Sequence, residues 1–337
     1  MIGAILGDIA GSGYEFAACL ADLANGERQN GSYDLFNNDQ HGDRQKYTDD
    51  TVMTIATLEC ILDNIEDWKK NKDEDKMVAQ FAKYYRKWGN LYPFAGYGGI
   101  FSSWLHSDEM GAYNSFGNGS AMRVSPCVLY DTKLAALSAM PTHDHKEGIK
   151  GAVVTAECIR MAKEGKSKEE IYQYALSEYP SIHYSEEKSP EEINKAKKSL
   201  LKTLKTIFKT DHFKDTENEV KTELDEFGIE KSITDGKYTY GIDRPVSEYH
   251  DTIRFSATCQ ETVPVAIRCF YETDSFESCM KKINSMLVDT DTICAIAGPI
   301  CEAFYGNCMG SHEKDVEILN KFLEKDMLDV LNRAGLL

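Results

Sequence analysis

No Cys-x-x-Cys pair occurs among the ten cysteines of this 337-residue chain, so neither a zinc knuckle nor a dithiol redox motif is indicated. No uninterrupted apolar run is long enough to span a bilayer. The N-terminus has no basic leader and meets Asp8 too early for a signal peptide. A cytoplasmic protein is therefore expected, with its thiols acting as buried small hydrophobes. Cys294, Cys301 and Cys308 recur every seven residues, which predicts one shared helix face. Positive charge is also short. Lys and Arg number 38 against 55 Asp and Glu, a formal charge of −17. That balance argues against a nucleic-acid backbone or an anionic membrane surface as the main partner. Strand signals are scarce, and no strand–helix alternation suggests a parallel sheet.

What the chain does contain is helical periodicity. Apolar positions recur at helical spacing over 51–63, 74–88, 133–140, 146–164, 168–178, 260–273, 276–287, 291–305 and 314–333. Residues 2–12 are small and apolar, and Gly3, Gly7 and Gly11 lie four apart, so a neighbouring helix can approach that face closely. Residues 181–240 differ: they are dense in Lys and Glu and read as a charged helical insertion on the surface. The expectation is one all-α domain spanning 1–337 with a peripheral insertion.

Two acidic clusters stand where helices should begin. They are Tyr47-Thr48-Asp49-Asp50-Thr51 and Val288-Asp289-Thr290-Asp291-Thr292. One Asp or Thr at such a place is an ordinary cap. Paired carboxylates repel, however, and no Lys or Arg occurs from Ile283 to Gly306 to relieve them. A hard divalent cation bound through carboxylate and hydroxyl oxygens would supply the missing charge. The two clusters read as halves of one metal site with Thr48, Asp49, Asp50, Asp289, Asp291 and Thr292 as donors. Oxygen-only donors favour Mg²⁺ or Mn²⁺ over zinc. So many oxygens suit two ions, which can orient a substrate diol and hold a water near the bond to be broken. Glu15 is a further candidate acid.

Two glycine-rich loops follow a different logic. Gly98-Gly99 and Gly117-Asn118-Gly119 let backbone amides approach phosphate oxygens, although neither loop matches a Walker motif or the dinucleotide fingerprint. Tyr97 and Phe116 offer flat surfaces beside them, for a base or for core packing. Thr142-His143-Asp144-His145 looks like a metal motif, but a histidine there can equally donate to a phosphate or cap the next helix. Arg123 is a candidate ion-pair partner for the acidic centre.

Five co-linear motifs together resemble the ADP-ribosylglycohydrolase family. They are Gly3-Ala4-Ile5-Leu6-Gly7-Asp8-Ile9-Ala10-Gly11-Ser12-Gly13-Tyr14-Glu15, the Tyr47–Thr51 cluster, Ser115-Phe116-Gly117-Asn118-Gly119-Ser120-Ala121-Met122-Arg123, Thr142-His143 and Asp289-Thr290-Asp291-Thr292. They run in family order across the chain except for 181–240. The resemblance implies an orthogonal all-α bundle with a binuclear metal centre, Mg²⁺ or Mn²⁺, beneath an ADP-ribose cleft. It implies the six ligands already named, with Glu15 as a mobile acid. Ser115, Gly117 and Asn118 would hold the phosphates and distal ribose. Phe116 would lie beside the adenine, His143 near the diphosphate, and Gly98 and Gly99 on the loop bordering the cleft. One departure is clear: the family usually carries Gly-Gly before the second acidic cluster, whereas this chain has Leu287-Val288, two bulky side chains that would narrow the cleft or shift the ligand.

The implied reaction is release of ADP-ribose from a modified protein or a small ADP-ribose conjugate. A water deprotonated by a carboxylate such as Asp291, Asp49 or Glu15 would attack C1 of the distal ribose. Arginine-linked substrate is the first expectation, and serine-linked or O-acetyl-ADP-ribose the second. A non-catalytic ADP-ribose reader, a metal-dependent nucleotide phosphohydrolase and a purely structural protein are the rival classes.

Overall fold

The computed structural model describes residues 1–14, 34–36, 45–179, 243, 245–249, 256–286 and 288–337. The expected insertion at 181–240, Glu15 and Leu287 lie outside the described residues. Fifteen helices make up the described structure: α1 Ile2–Ser12, α2 Asp49–Asn71, α3 Glu74–Leu91, α4 Gly99–Leu105, α5 Gly119–Met122, α6 Cys127–Tyr130, α7 Leu134–Ala139, α8 Lys146–Lys163, α9 Lys168–Glu178, α10 Val246–Tyr249, α11 Cys259–Glu272, α12 Phe276–Asn284, α13 Thr290–Tyr305, α14 His312–Phe322 and α15 Lys325–Arg333. Among the described residues there is no strand, only an isolated antiparallel bridge between Gly117 and Thr258. The all-α expectation is met. No described helix is long and apolar enough to cross a membrane.

Side-chain caps set several boundaries. Ser167 and Glu170 close a reciprocal capping box on α9, and Ser275 and Ser278 do the same on α12. The periodicity over 314–333 predicts one helix, but the chain breaks at Leu323, whose backbone is extended. Buried Leu319, Leu323, Met327 and Leu331 continue the four-residue spacing straight through the break, so the pattern carries no mark of it. The seven-residue cysteine series also ends early. Gly306 adopts a left-handed conformation (φ 87°) and stops α13, which leaves Cys294 and Cys301 on the helix and Cys308 beyond it. All three thiols are free and buried.

The core is organised around α13, whose residues Thr290–Cys301 are buried throughout. It packs against α1, α8, α11 and α12. The contact with α1 is backbone against backbone. A Cβ added at Gly3, Gly7 or Gly11 would lie 2.3, 2.2 or 2.4 Å from the carbonyl oxygen of Gly298, Cys294 or Thr290 respectively. Three glycines four residues apart therefore meet 298, 294 and 290 in reverse order, which makes the two helices antiparallel. This crossing brings Asp8, near the end of α1, to the start of α13. On the other side α3 buries Met77, Phe81, Tyr85 and Trp88 as one stripe, and α3 packs against α2.

Candidate functional site

The site lies where α1, α2 and α13 meet. Asp8 is fully buried in an otherwise small and apolar helix, and it reaches across to the N-terminus of α2. Its Oδ2 accepts from the backbone N–H of Thr48 at 2.8 Å and of Thr51 at 3.1 Å, and from the Thr51 hydroxyl at 2.5 Å. Its Oδ1 accepts from the Thr48 hydroxyl at 2.8 Å. A carboxylate on one helix thereby satisfies N–H groups at the start of another, where a helix has no internal acceptors to offer.

Around this cap residues of the two acidic clusters come together. One carboxylate oxygen each from Asp8, Asp50 and Asp291 lie within 4.8 Å of one another. The hydroxyls of Thr48 and Thr292 each sit 3.3 Å from Asp50 Oδ2. The other oxygen of that carboxylate, Asp50 Oδ1, is buried with no hydrogen-bond partner. Among the described residues no Lys or Arg pairs with Asp8 or Asp50. Asp49 and Asp289 flank the cluster. A Cβ at Gly96 would lie 3.3 Å from Asp49 Oδ1, and the Asp49 N–H donates to Ala95 O at 2.9 Å, tying the acidic cluster to the 95–99 loop. Asp289 Oδ2 accepts from Asn118 Nδ2 at 2.8 Å.

Such crowding has an electrostatic signature. Burial, then the charge of Asp291, pushes Asp8 up to about 7. The same two causes push Asp49 up to about 8. Asp50 is raised well above the carboxylate range by burial, Asp291 and Asp8, and Asp289 is raised by burial. Ionising all of these carboxyls side by side costs free energy that a bound cation would offset. An oxygen-rich donor set, an orphaned buried acceptor and a surplus of negative charge together fit a hard divalent ion.

The 115–119 loop stands beside the cluster, linked to it through Asn118. Ser115 Oγ accepts from Gly117 N–H at 3.1 Å, and the Asn118 N–H donates to Ala257 O at 2.8 Å. Phe116 packs its ring against His145, with centroids 5.4 Å apart. His143 is buried and packs against the loop: a Cβ at Gly117 or Gly119 would lie 3.3 or 3.1 Å from its Nε2. His145 Nδ1 accepts from Glu147 N–H and caps α8, so the Thr142–His145 motif supplies no member of the carboxylate cluster. Gly98 and Gly99 open α4 in exposed positions, with no atom within 4 Å of where a Cβ would stand. Tyr97 packs against Phe101 at 5.6 Å. Val288 is buried.

Two expectations change. Arg123 makes no ion pair among the described residues. Its buried side chain runs toward α3 and α7, with the guanidinium 4.2 Å from the Tyr85 ring centroid and Nη2 donating to Ser138 O at 3.2 Å and Thr142 Oγ1 at 2.9 Å. Asp8, absent from the expected donor set, lies inside the carboxylate cluster. Its signal was an isolated charge inside an apolar helix, which gains meaning only once α1 is placed against α2 and α13.

The family model described as ADP-ribosylglycohydrolase matches residues 1–308. The chain belongs to the ADP-ribosylglycohydrolase family. It is similar to ADP-ribosylhydrolase ARH3 of Homo sapiens, at 28% identity over 94% of this chain and 90% of that protein. It is similar also to the ARH3 of Bos taurus, at 28% over 97% and 93%, and of Mus musculus, at 27% over 94% and 88%. A solved structure titled ADP-ribosylglycohydrolase-related protein complex shares the fold, with a TM-score of 0.52 at 19% identity over 99% of this chain and 95% of that one. As an ADP-ribosylglycohydrolase, the protein is a hydrolase acting on the glycosidic bond of ADP-ribose.

Proposed function

We propose that this ADP-ribosylglycohydrolase removes ADP-ribose from an O-linked acceptor, serine on a modified protein, with divalent cations held between α1, α2 and α13. Likeness to the ARH3 proteins over nearly the whole chain supports placing the serine-linked bond first. Arginine-linked ADP-ribose, the leading expectation from the motifs, becomes the second reading. Small ADP-ribose conjugates are further candidate substrates.

In this reading Asp8, Thr48, Asp50, Asp291 and Thr292 hold the cations, Mg²⁺ or Mn²⁺, with Asp49 and Asp289 beside them. A divalent ion bound there supplies Lewis acidity and offsets the repulsion among the carboxylates. Asp49, Asp291 and Glu15 are the carboxylates proposed to take the proton of the attacking water at a carboxylate oxygen. Ser115, Phe116, Gly117, Asn118 and His143, with Gly98 and Gly99 on the neighbouring loop, are proposed to orient the ADP-ribose. The observation that carries the reading is the convergence of Asp8, Asp50 and Asp291, together with an Asp50 Oδ1 that is buried and unpartnered.

The test is a product assay. Purified protein with Mg²⁺ or Mn²⁺ is given serine- and arginine-ADP-ribosylated peptides, and free ADP-ribose is separated and quantified. Metal-dependent release, faster from serine, is expected. Tight ADP-ribose binding without release would favour a reader, AMP among the products would favour a phosphohydrolase, and absence of release from every substrate overturns the proposal.

A further inference from the structure

Arg123 is a fully buried guanidinium without a carboxylate partner among the described residues, an expensive arrangement unless its charge or its donors are used. The use is visible in a short chain of bonds. Nη2 of Arg123 donates to Thr142 Oγ1 at 2.9 Å, and Thr142 Oγ1 lies 2.7 Å from His143 Nδ1. A guanidinium has donors only, so the hydroxyl oxygen is the acceptor in the first bond. Its single proton remains for the second. Thr142 is fully buried, and among the described residues its hydroxyl makes no other hydrogen bond. Nδ1 of His143 therefore accepts, which puts the ring proton on Nε2. A second proton is opposed, because burial and then the Arg123 charge hold the imidazole well below its usual range. Nε2 makes no protein hydrogen bond among the described residues, and it faces the backbone of Gly117 and Gly119.

We propose that Arg123 acts through Thr142 to fix His143 as the neutral Nε2–H tautomer, a donor aimed at an anionic oxygen of the ligand on the 115–119 loop. The ligand half of this proposal rests on the ADP-ribose reading above. Arg123 and Thr142 are positioning residues, and neither needs to touch the ligand. The opposite tautomer would present a lone pair to a phosphate oxygen and repel it, so the relay converts a two-fold choice into one that favours binding.

Removing Arg123 risks the fold, so the test substitutes Thr142. Histidine-labelled wild type, Thr142→Val and Thr142→Ser are compared with Mg²⁺ present. Nitrogen NMR reports the His143 tautomer, and calorimetry reports affinity for ADP-ribose. Wild type and Thr142→Ser should show the Nε2–H form and bind alike. Thr142→Val should show a tautomer mixture and lose about tenfold or more in affinity, the scale of a hydrogen bond to a charged group. A merely structural threonine would not move the tautomer or be rescued by serine. A Thr142→Val protein with tautomer and affinity unchanged overturns the relay. A wild type that shows the Nε2–H form yet binds no ADP-ribose overturns the functional reading and the ligand half of this proposal together.

Discussion

Thr48 is bound to Asp8 twice, through its backbone N–H and through its hydroxyl, both at 2.8 Å. The same carboxylate is thus a helix cap and a member of the acidic cluster, and its two roles respond to charge in opposite ways. As a cap it needs only acceptor oxygens. As a neighbour of Asp50 and Asp291 its charge is a liability unless a cation is bound.

Asp8→Asn separates the two roles. The amide can keep the acceptor toward the Thr48 and Thr51 N–H groups and turn its NH₂ toward the Thr48 hydroxyl. Without metal at pH 8 the variant should melt at or above the wild-type temperature, because one repelled charge is gone. The rise in melting temperature produced by Mg²⁺ should shrink. A full wild-type metal increment would remove Asp8 from the ligand set.

Stability without metal should fall as pH rises. Asp8 and Asp49 move from an ordinary value of 3.8 to about 7 and about 8 on folding, through burial and then Asp291. The folded chain therefore holds more protons than the unfolded one between those values. The favourable contribution of these groups is complete below 3.8 and lost as pH climbs through 7 and 8. Melts in chelator from pH 5 to pH 8.5 should show the decline, and saturating Mg²⁺ should reverse it by favouring the ionised forms. A metal increment that does not grow with pH would contradict this account.

Gly7→Ala tests the crossing that builds the site. Its Cβ would stand 2.2 Å from Cys294 O, and both partners are backbone, so no side chain can turn aside. Chemical denaturation should show a loss of about 3 kcal/mol or more, the upper end of overpacking effects. Metal binding should weaken with it, because Asp8 and Asp291 are held at their spacing by this contact. A loss within about 0.5 kcal/mol, the range of a neutral surface change, would show that the helices can part freely.

Asn118→Ala tests the link between loop and cluster. Asn118 Nδ2 holds Asp289 Oδ2 at 2.8 Å, and removing such an orienting partner usually weakens a metal site roughly 10- to 100-fold. Titration of Mn²⁺ into the variant should reveal that loss while the melting temperature of the metal-free protein stays near wild type. Unchanged Mn²⁺ affinity would mean that Asp289 needs no support.

The second acidic cluster is legible because repelling carboxylates with no Lys or Arg nearby in sequence need an explanation, and the first repeats its donor set. Helix positions were legible for the same local reason: an apolar stripe at 3.6-residue spacing says which face is buried. The break at Leu323 was not, since Leu319, Leu323, Met327 and Leu331 keep their spacing through it. Arg123 misled the motif reading. A lone cation near an acidic centre invites an ion pair, yet the side chain is spent on Tyr85, Ser138 and Thr142. Asp8 is not legible in the sequence as a member of the cluster, because one aspartate in an apolar stretch has no partner within its own segment.

Residue order alone thus establishes helices, a glycine face on α1 that admits a close neighbour, and two oxygen-rich clusters in want of positive charge. These are local properties, set by spacing and by like-charge repulsion a residue or two apart. Which helix fills the glycine face, the joining of Asp8 to Asp50 and Asp291, and the bond chain from Arg123 to His143 depend on long-range packing. They exist only after distant segments have met, when α13 lies antiparallel on α1 at backbone contact and burial makes each unpartnered charge matter.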